Sequence, residues 1–288
     1  MKRIIVCDSG LGGLNIAARF CNTGAPGLEA CELIYFNAYP EAGMGFNKLP
    51  SSRSQEDLLQ TVLESMEKFS PDMCLIACNT LSIVYEKLAA RYTPGFPVLG
   101  ITGAALEGMY DALQKEPASS LLVLGTKTTV DSGLYIRRLT DRQIHPSRLA
   151  SLACPGLATA LESDPRAPET VGMIERCARA AAELLPGNIP VLHLALCCTH
   201  FEFAGDLWTE KFSRFFTGRI NIVNPNSLMQ TGTAAANCRY LSRIGFFPGA
   251  RENMIRFFSG NAPMLACALE QAQADKNLFA FDSSVYKG

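Results

Sequence analysis

The chain has 288 residues, of which 48% are hydrophobic, and its 26 basic and 27 acidic side chains give a formal net charge of −1. This length allows one large or two modest domains with substantial cores, and it excludes an intrinsically disordered chain. Because no cluster of basic residues stands out, neither a nucleic acid nor a membrane surface is predicted as a partner.

The N-terminal residues predict a strand and not a targeting segment. The apolar residues 4–6 lead directly into Asp8, which leaves no room for the apolar core of a signal peptide. No apolar run approaches the roughly 20 residues of a membrane helix. We therefore expect a soluble, cytoplasmic protein. Its 11 cysteines are odd in number and scattered, so most should be reduced, buried, small apolar side chains, Cys21, Cys31 and Cys177 among them.

Short β-branched runs alternate with stretches of helical periodicity, a pattern typical of βα units around a parallel sheet. Eight strands are predicted, at 3–7, 33–36, 73–77, 98–101, 121–124, 149–153, 191–196 and 220–223. Apolar stripes predict helices at 54–69 and 169–185. Beyond residue 224 the pattern predicts a helix at 230–243, an extended segment at 254–259 and a helix at 263–274. This tail is expected to pack on the first half.

The second four strands repeat the first four at an offset of about 120 residues, a long-period duplication. Ile4 corresponds to Leu121, and Cys78 corresponds to Cys198. The repeat predicts two similar α/β halves, although chance similarity among generic βα units stays open. Ligands of parallel α/β sheets bind beyond the carboxyl ends of the strands, where the polar motifs of this chain fall.

Two cysteines stand apart from the other nine. Cys78 and Cys198 each follow a predicted strand and precede a helix start, where the thiolate form of cysteine is generally favoured. A pair of such thiols suits inversion of a stereocentre, in which one group removes a proton and another delivers one to the opposite face. Asp8 and His200 are the candidates to orient or receive a proton beside them. For Asp8 a helix-capping role stays open.

These residues resemble a known family. The runs DSGLGG at 8–13, ACNT at 77–80 and CTH at 198–200 are similar to the signature motifs of the aspartate/glutamate racemase superfamily, and specifically of glutamate racemases. Further matches are GTKTTV at 125–130, ACP at 153–155 and FFSGN at 257–261. The matches occur in family order over nearly the whole chain.

The resemblance implies two pseudo-symmetric α/β domains, each a mainly parallel sheet flanked by helices, with the active site at their interface. The first domain is expected to combine 1–100 with 206–288, and the second to span 101–205. The implied activity is racemisation of an amino acid, without a cofactor, that supplies D-glutamate for peptidoglycan. A homodimer is left open as the assembly.

The resemblance also assigns site residues. Cys78 and Cys198 are the implied bases, assisted by Asp8 and His200, and Glu162 matches a glutamate near the site. The residues expected to hold the substrate are Ser9, Gly45, Asn79, Thr80, Thr126, Thr129 and Thr199. Hydroxyls, amides and helix N–H groups suit this task, because they bind carboxylates without adding a competing charge.

Cofactor sites are not predicted. A metal site built from cysteines 74, 78, 197 and 198 with His200 has suitable ligand types but lacks a paired C-x-x-C spacing, so no metal is expected. The glycine run at 10–13 is not a G-x-G-x-x-G fingerprint, which disfavours a nucleotide.

Several positions depart from the family pattern and leave the substrate open. Asn37 stands where the family usually has aspartate, GMG at 43–45 corresponds to its Pro-Tyr-Gly loop, Cys197 replaces a glycine, and Phe201 and Glu202 replace Tyr-Pro. Glutamate is the favoured substrate. Open alternatives are another amino acid or small carboxylate, a related cis-trans isomerase or decarboxylase, and a carboxylate-binding regulator that has lost efficient catalysis.

Overall fold

The computed structural model describes residues 1–22, 28–185, 187–229 and 231–286. The chain divides into two compact units, Met1–Ile101 with Met229–Gly288, and Thr102–Leu228. The strands are β1 (Lys2–Asp8), β2 (Glu29–Asn37), β3 (Met73–Ile76), β4 (Val98–Gly100), β5 (Ser120–Gly125), β6 (Leu149–Ala153), β7 (Val191–Cys197), β8 (Arg219–Val223) and β9 (Thr233–Ser242).

Helices flank these strands along the chain. They are α1 (Leu14–Cys21), α2 (Ser52–Met66), α3 (Asn79–Leu88), α4 (Ile101–Lys115), α5 (Lys127–Asp131), α6 (Leu134–Asp141), α7 (Leu157–Ser163), α8 (Pro168–Leu184), α9 (Leu207–Phe212), α10 (Ala250–Phe258) and α11 (Pro263–Glu270). Among the described residues, no helix is both long enough and apolar enough to cross a membrane.

The first unit is built on a parallel sheet in the order β4-β3-β1-β2-β9. The central strand β1 is buried from Ile4 to Asp8, as expected of a parallel strand covered on both faces. One side of this sheet packs against α2 and α3 through leucines and other apolar residues, including Leu59, Leu63 and Leu81.

The second unit is built on a parallel sheet in the order β6-β5-β7-β8. This order matches β2-β1-β3-β4 of the first unit, strand for strand. All eight predicted strands are therefore confirmed, and the shared order supports the predicted duplication. The α/β class with two parallel sheets flanked by helices is confirmed as well.

The second unit extends to Leu228, whereas residues 206–228 were expected in the first domain. The reason lies in strand pairing, since β8 forms a parallel ladder with β7. The pairs run from Val191 with Arg219 to Ala195 with Val223. The chain returns to the first unit only after this strand.

The predicted helix at 230–243 is wrong, because Thr233–Ser242 forms β9; Gln230 itself lies outside the described residues. Alanines 234–236 favour a helix by intrinsic propensity. However, the segment pairs in parallel with the whole length of β2, from Glu29 to Asn37. Tertiary pairing of this extent overrides local propensity. The tail does pack on the first half, as expected.

The predicted extended segment at 254–259 is also wrong, because it forms most of α10. The residue types of this segment favour a strand. However, Ala250, Met254 and Phe258 are spaced as a helical stripe, and all three are buried. Gly249, with φ 76°, precedes the helix in the left-handed region that favours glycine. The last predicted helix is confirmed but ends at Glu270, short of residue 274.

All 11 cysteines are free thiols. Seven are buried, including Cys31, which agrees with the expectation for most of them. Cys21 and Cys177 are half-buried, contrary to the expectation for these two residues, and Cys267 is exposed.

Candidate active site

The predicted site residues follow strands at the carboxyl ends of the two sheets. In the first unit, β1 ends at Asp8, and Cys78 occupies the cap position before α3. In the second unit, Cys198 directly follows β7. Each cysteine therefore follows the third strand of its own repeat, and each is 7% exposed.

Cys78 has a hydroxyl neighbour. Its Sγ lies 3.1 Å from Ser9 Oγ, and either atom can donate the hydrogen bond. The sequence predicted Ser9 as a carboxylate ligand and Asp8 as the residue that assists the thiol. The contact with the sulfur makes Ser9 a candidate for tuning the thiol as well.

Asp8 is fully buried at the end of β1. Gly13 packs directly on it, since a Cβ at position 13 would lie 2.8 Å from Asp8 Cβ and 2.9 Å from its Oδ2. The backbone N–H of Ala77 donates to Cys7 O at 2.8 Å, so Asp8 and Cys78 end neighbouring strands. The capping alternative for Asp8 is wrong, because α1 begins at Leu14 with Gly13 as its cap.

Cys198 is part of a chain of three polar side chains. Its Sγ lies 3.7 Å from His200 Nδ1, and His200 Nε2 lies 2.5 Å from Glu162 Oε1. Glu162 comes from α7, and all three side chains are largely shielded from solvent. The expectation placed Glu162 only near the site. The structure joins it to the predicted proton carrier.

The electrostatic environment of these three side chains favours a protonated imidazole of His200. Burial lowers the pKa of His200, but the negative charge of Glu162 and hydrogen bonds to Cys198 and Glu162 outweigh burial, so that the pKa is raised well above its ordinary value. A cationic His200 can donate a proton to each neighbour, to the sulfur through Nδ1 and to the carboxylate through Nε2.

The predicted threonines lie at the carboxyl ends of β5 and β7. Thr126 caps α5, with Thr129 N donating to Thr126 Oγ1 at 3.3 Å and the two hydroxyls 3.1 Å apart. Thr199 is buried beside Cys198. In the first unit, Asn79 and Thr80 are buried in the first turn of α3, next to Cys78.

Gly45 lies in the loop that follows β2, where it contacts Tyr39. A Cβ at position 45 would lie 3.2 to 3.3 Å from the Tyr39 ring and hydroxyl. The ring of Tyr39 also makes an edge contact with Phe247, with 5.7 Å between the centroids. Tyr39 was not predicted, although a tyrosine just beyond a strand end is a recognisable signal.

Two of the residues that depart from the family pattern, Asn37 and Glu202, have hydrogen-bonding partners in the structure. Asn37 donates from Nδ2 to Tyr240 Oη at 3.0 Å and to Ser242 Oγ at 3.2 Å, and its Oδ1 accepts from Tyr39 N. It therefore ties the end of β2 to β9 and to the following loop. Glu202 Oε2 accepts from Asn226 Nδ2 at 2.8 Å.

Two further departures, Phe201 and Cys197, belong to the interior of the second unit. Phe201 is 1% exposed, packs on Trp208 and accepts from the indole N–H at 2.8 Å. Cys197 is fully buried, and burial raises its pKa. At these two positions, the departures from the family pattern therefore alter the packing behind the end of β7.

Asn226 was missed by the sequence analysis. It is almost fully buried just beyond β8, and its Nδ2 donates to Thr199 O at 3.1 Å as well as to Glu202. It thereby fixes the backbone one residue after Cys198. A signal was present in the polar run Asn224-Pro225-Asn226, which directly follows the predicted strand at 220–223.

The metal alternative finds no support in the described ranges. No group of three or more histidine, cysteine or acidic side chains in them is arranged to hold an ion. Cys74, a member of the suggested set, is fully buried, and burial raises its pKa, which disfavours the thiolate a metal requires.

Comparison with known proteins assigns this chain to a family. The model of the Asp/Glu/hydantoin racemase family matches residues 21–203, more than half of the chain. The chain belongs to this family. It is therefore a racemase, an enzyme of the isomerase class. This assignment covers the segment that carries Cys78, Glu162 and Cys198.

Relatives of this racemase include a glutamate racemase from Campylobacter jejuni, 28% identical over 227 residues that cover 77% of this chain and 80% of the relative. A glutamate racemase from Lysinibacillus sphaericus is 30% identical over 159 residues, 55% of each chain. Among solved structures, a glutamate racemase isoform from Bacillus anthracis is similar with a TM-score of 0.66 and 19% identity, covering 90% and 94% of the two chains. The enzyme from Francisella tularensis, in complex with D-glutamate, has a TM-score of 0.63, 17% identity and the same coverage. These structures show a shared fold.

Proposed function

We propose that this racemase interconverts L- and D-glutamate by two-base proton transfer, with Cys78 and Cys198 as the bases. The observation that carries the proposal is the repeated position of the two thiols. Each follows the third strand of its own repeat, is shielded from solvent, and has a hydrogen-bonding side chain at its sulfur. Chance burial of two cysteines does not account for this repetition.

In the proposed reaction, the thiolate of one cysteine removes the α-proton of glutamate. The electron pair of the broken C–H bond passes into a planar carbanion that the α-carboxylate delocalises. The thiol of the other cysteine then donates its proton to the opposite face, which forms the new C–H bond. The two cysteines end the cycle with thiol and thiolate exchanged, so the reverse reaction follows the same steps.

The neighbours of the thiols are assigned supporting roles. Ser9 is proposed to hold the sulfur of Cys78 by a hydrogen bond, and Asp8 to assist from the end of the neighbouring strand. Cationic His200, held by Glu162, is proposed to stabilise the thiolate of Cys198 and to return its proton. General acids and bases of this kind typically contribute factors of about 10² to 10⁴ to the rate.

The substrate assignment follows from the binding groups and from the relatives. Asn79, Thr80, Thr126, Thr129 and Thr199 supply uncharged donors for carboxylates, together with Ser9 and the backbone of Gly45. The relatives named above are glutamate racemases. We place the enzyme in the cytoplasm, where D-glutamate is supplied for peptidoglycan, and we propose that it needs no cofactor.

Circular dichroism of the purified protein with L-glutamate, D-glutamate and L-aspartate, in separate reactions without added cofactor, tests the activity. The ellipticity of both glutamate enantiomers should decay to zero, and that of L-aspartate should persist. Decay with L-aspartate alone would assign a different substrate. No decay with any of them would favour a binding protein or an isomerase of another small carboxylate.

The variants Cys78→Ser and Cys198→Ser test the mechanism. Each should nearly abolish racemisation, because a serine hydroxyl is far too weak an acid to replace the thiol. Each should still exchange the α-hydrogen of one enantiomer with solvent deuterium, and the two variants should differ in which enantiomer exchanges. Cys267→Ser, which removes an exposed thiol, is the matched control and should retain activity. Full racemase activity in Cys78→Ser or Cys198→Ser would refute the two-thiol mechanism.

A further inference from the structure

A cavity in the second unit contains a pair of cysteines that the proposed reaction does not use. Its volume is about 270 Å³, and its lining includes Cys154, Cys177, Met173 and Arg176. Cys154 directly follows β6, and Cys177 lies in the middle of α8. The cavity therefore brings together two thiols that are distant in sequence.

The two thiols interact with each other. Both side chains line the same cavity, and their mutual interaction raises the pKa of Cys154 and lowers that of Cys177. The thiol of Cys154 has a second acceptor in Leu152 O, 3.8 Å from its Sγ. Cys154 is buried, whereas Cys177 is half-buried on the lining of the cavity. A reagent that enters the cavity thus meets Cys177 before Cys154.

The surroundings divide the protons unequally between the pair. The hydrogen bond from Cys154 lowers the pKa of Cys177, burial opposes this effect, and the positive charge of Arg176 reinforces it. The same hydrogen bond and burial raise the pKa of Cys154 well above its ordinary value. Cys177 is therefore the more readily ionised of the two thiols.

We propose that Cys154 and Cys177 form an oxidation site, in which Cys177 attacks a peroxide that enters the cavity and Cys154 then closes a reversible disulfide. A reactive, accessible thiol beside a second thiol that can resolve it is the arrangement found in redox-active cysteine pairs. This function is separate from racemisation and uses neither Cys78 nor Cys198.

The chemistry balances with hydrogen peroxide as the oxidant. The Cys177 thiolate attacks one peroxide oxygen, the O–O bond breaks, and hydroxide leaves as the sulfenic acid forms. Cys154 sulfur then attacks the sulfenic sulfur. The S–S bond forms as the S–O bond breaks, and the departing hydroxide takes the Cys154 proton as water. The first hydroxide takes up the proton that Cys177 released on ionisation, so the two thiols lose two electrons in total and the peroxide is reduced to two waters.

The site lies beside elements that carry predicted site residues. Cys154 N donates to Gly125 O at 2.9 Å, and Gly125 precedes Thr126. The helix α7, which carries Glu162, begins three residues after Cys154. A disulfide to α8 would fix the backbone of this strand end.

Peptide mapping of the full chain tests the proposal without relying on racemase activity. The protein is treated with a low excess of hydrogen peroxide, its remaining thiols are alkylated, and its digest is analysed by mass spectrometry. A linked pair of peptides containing Cys154 and Cys177 is expected, and dithiothreitol should separate it. Absence of this link at a peroxide dose that oxidises the exposed Cys267 would overturn the proposal.

Variants of the two cysteines distinguish the thiol that attacks the peroxide from the thiol that closes the disulfide. Cys154→Ser should abolish the link and leave Cys177 as a sulfenic acid that dimedone traps. Cys177→Ser should abolish the link and leave Cys154 unmodified by dimedone. Cys267→Ser is the matched control and should form the link as the unchanged protein does. A dimedone adduct on Cys154 but not on Cys177 would reverse the roles and contradict the proposal.

Discussion

The two strand-end thiols have chemically different neighbours. Cys78 faces the neutral hydroxyl of Ser9, whereas Cys198 faces an imidazole that Glu162 keeps cationic. A hydroxyl can stabilise a thiolate only by a hydrogen bond, but an imidazolium adds a full charge. Variants of the two neighbours should therefore differ in their effects.

Removal of the Ser9 hydroxyl separates its two assigned roles. If it holds the sulfur of Cys78, Ser9→Ala should lower kcat for glutamate by up to about tenfold, as expected for a hydrogen bond worth about 0.5 to 1.5 kcal/mol, with KM little changed. Steady-state kinetics in both directions measure this. An increase in KM at constant kcat would instead assign Ser9 to the carboxylate, as the sequence alone predicted.

Replacement of Glu162 by glutamine should lower the pKa of His200. Without the carboxylate charge, burial dominates and favours neutral imidazole. In the unchanged protein, folding raises the pKa of His200. The interaction of His200 with Glu162 therefore contributes its full stability below the pKa of histidine in the unfolded chain, about 6.5, and this contribution is lost as the pH rises through the folded-state pKa. Glu162→Gln should therefore cost about 1.5 to 3 kcal/mol at pH 6 and less at pH 9.

Urea unfolding at the two pH values measures this difference. Glu183→Gln, which removes an exposed carboxylate from α8, is the control and should change stability little at either pH. A cost for Glu162→Gln that grows between pH 6 and pH 9 would contradict a raised pKa of His200.

At the scale of elements, the contact between α1 and β1 depends on one glycine. Gly13→Ala should destabilise the protein by about 1 to 3 kcal/mol, because the new methyl group would overlap Asp8 and press on Ala77. Gly103→Ala is the control, since the Cβ in α4 meets no atom within 4 Å and should stabilise the helix by about 0.5 to 1 kcal/mol. Thermal unfolding of both variants gives the comparison. An unchanged or raised melting temperature for Gly13→Ala would show that α1 adjusts its position freely.

Local patterns predicted the eight strands of the repeat but misassigned the tail. In β1 and β5, burial on both faces produces continuous apolar runs that are visible in the sequence. The strand β9 has no such run, because only three of its ten residues are buried. Its structure depends on the backbone of β2, a partner that the local sequence cannot reveal.

The candidate site was predictable to a similar extent. The motif residues Cys78, Cys198 and His200 were located by their positions at strand ends. The hydrogen bond between His200 and Glu162 joins residues 38 positions apart, and the one from Asn226 to Thr199 joins residues 27 apart. Such pairings depend on how helices and loops return to the sheet, which periodicity does not encode.

At the scale of the whole molecule, Arg243 links distant parts of the first unit. Its guanidinium donates to Pro40 O at 2.7 Å and to the carbonyls of Phe279 and Phe281 at 3.1 Å each, and it stacks near both rings. The C-terminal segment, the end of β9 and the loop after β2 are thereby joined by one side chain.

Arg243→Ala should lower the free energy of unfolding by about 2 to 4 kcal/mol, since three carbonyls lose a charged donor at once. Arg53→Ala is the control, because that arginine is 66% exposed and, within the part of the chain that the structure describes, pairs only with Asp57 one helical turn away, an interaction worth about 0.3 to 0.5 kcal/mol. Urea unfolding measures both. Similar losses in the two variants would mean that the C-terminal segment is held by other contacts.

The pairing of β2 with β9 also has a consequence for biosynthesis. Asn37 and Ser242, partners at the end of this ladder, are 205 residues apart in the chain. At about 5 to 20 residues per second, a ribosome needs about 10 to 40 s to synthesise the chain between them. Throughout that interval one edge of β2 has no hydrogen-bonding partner, and unpaired strand edges are templates for aggregation. The nascent chain is therefore most vulnerable to aggregation before its last strand emerges.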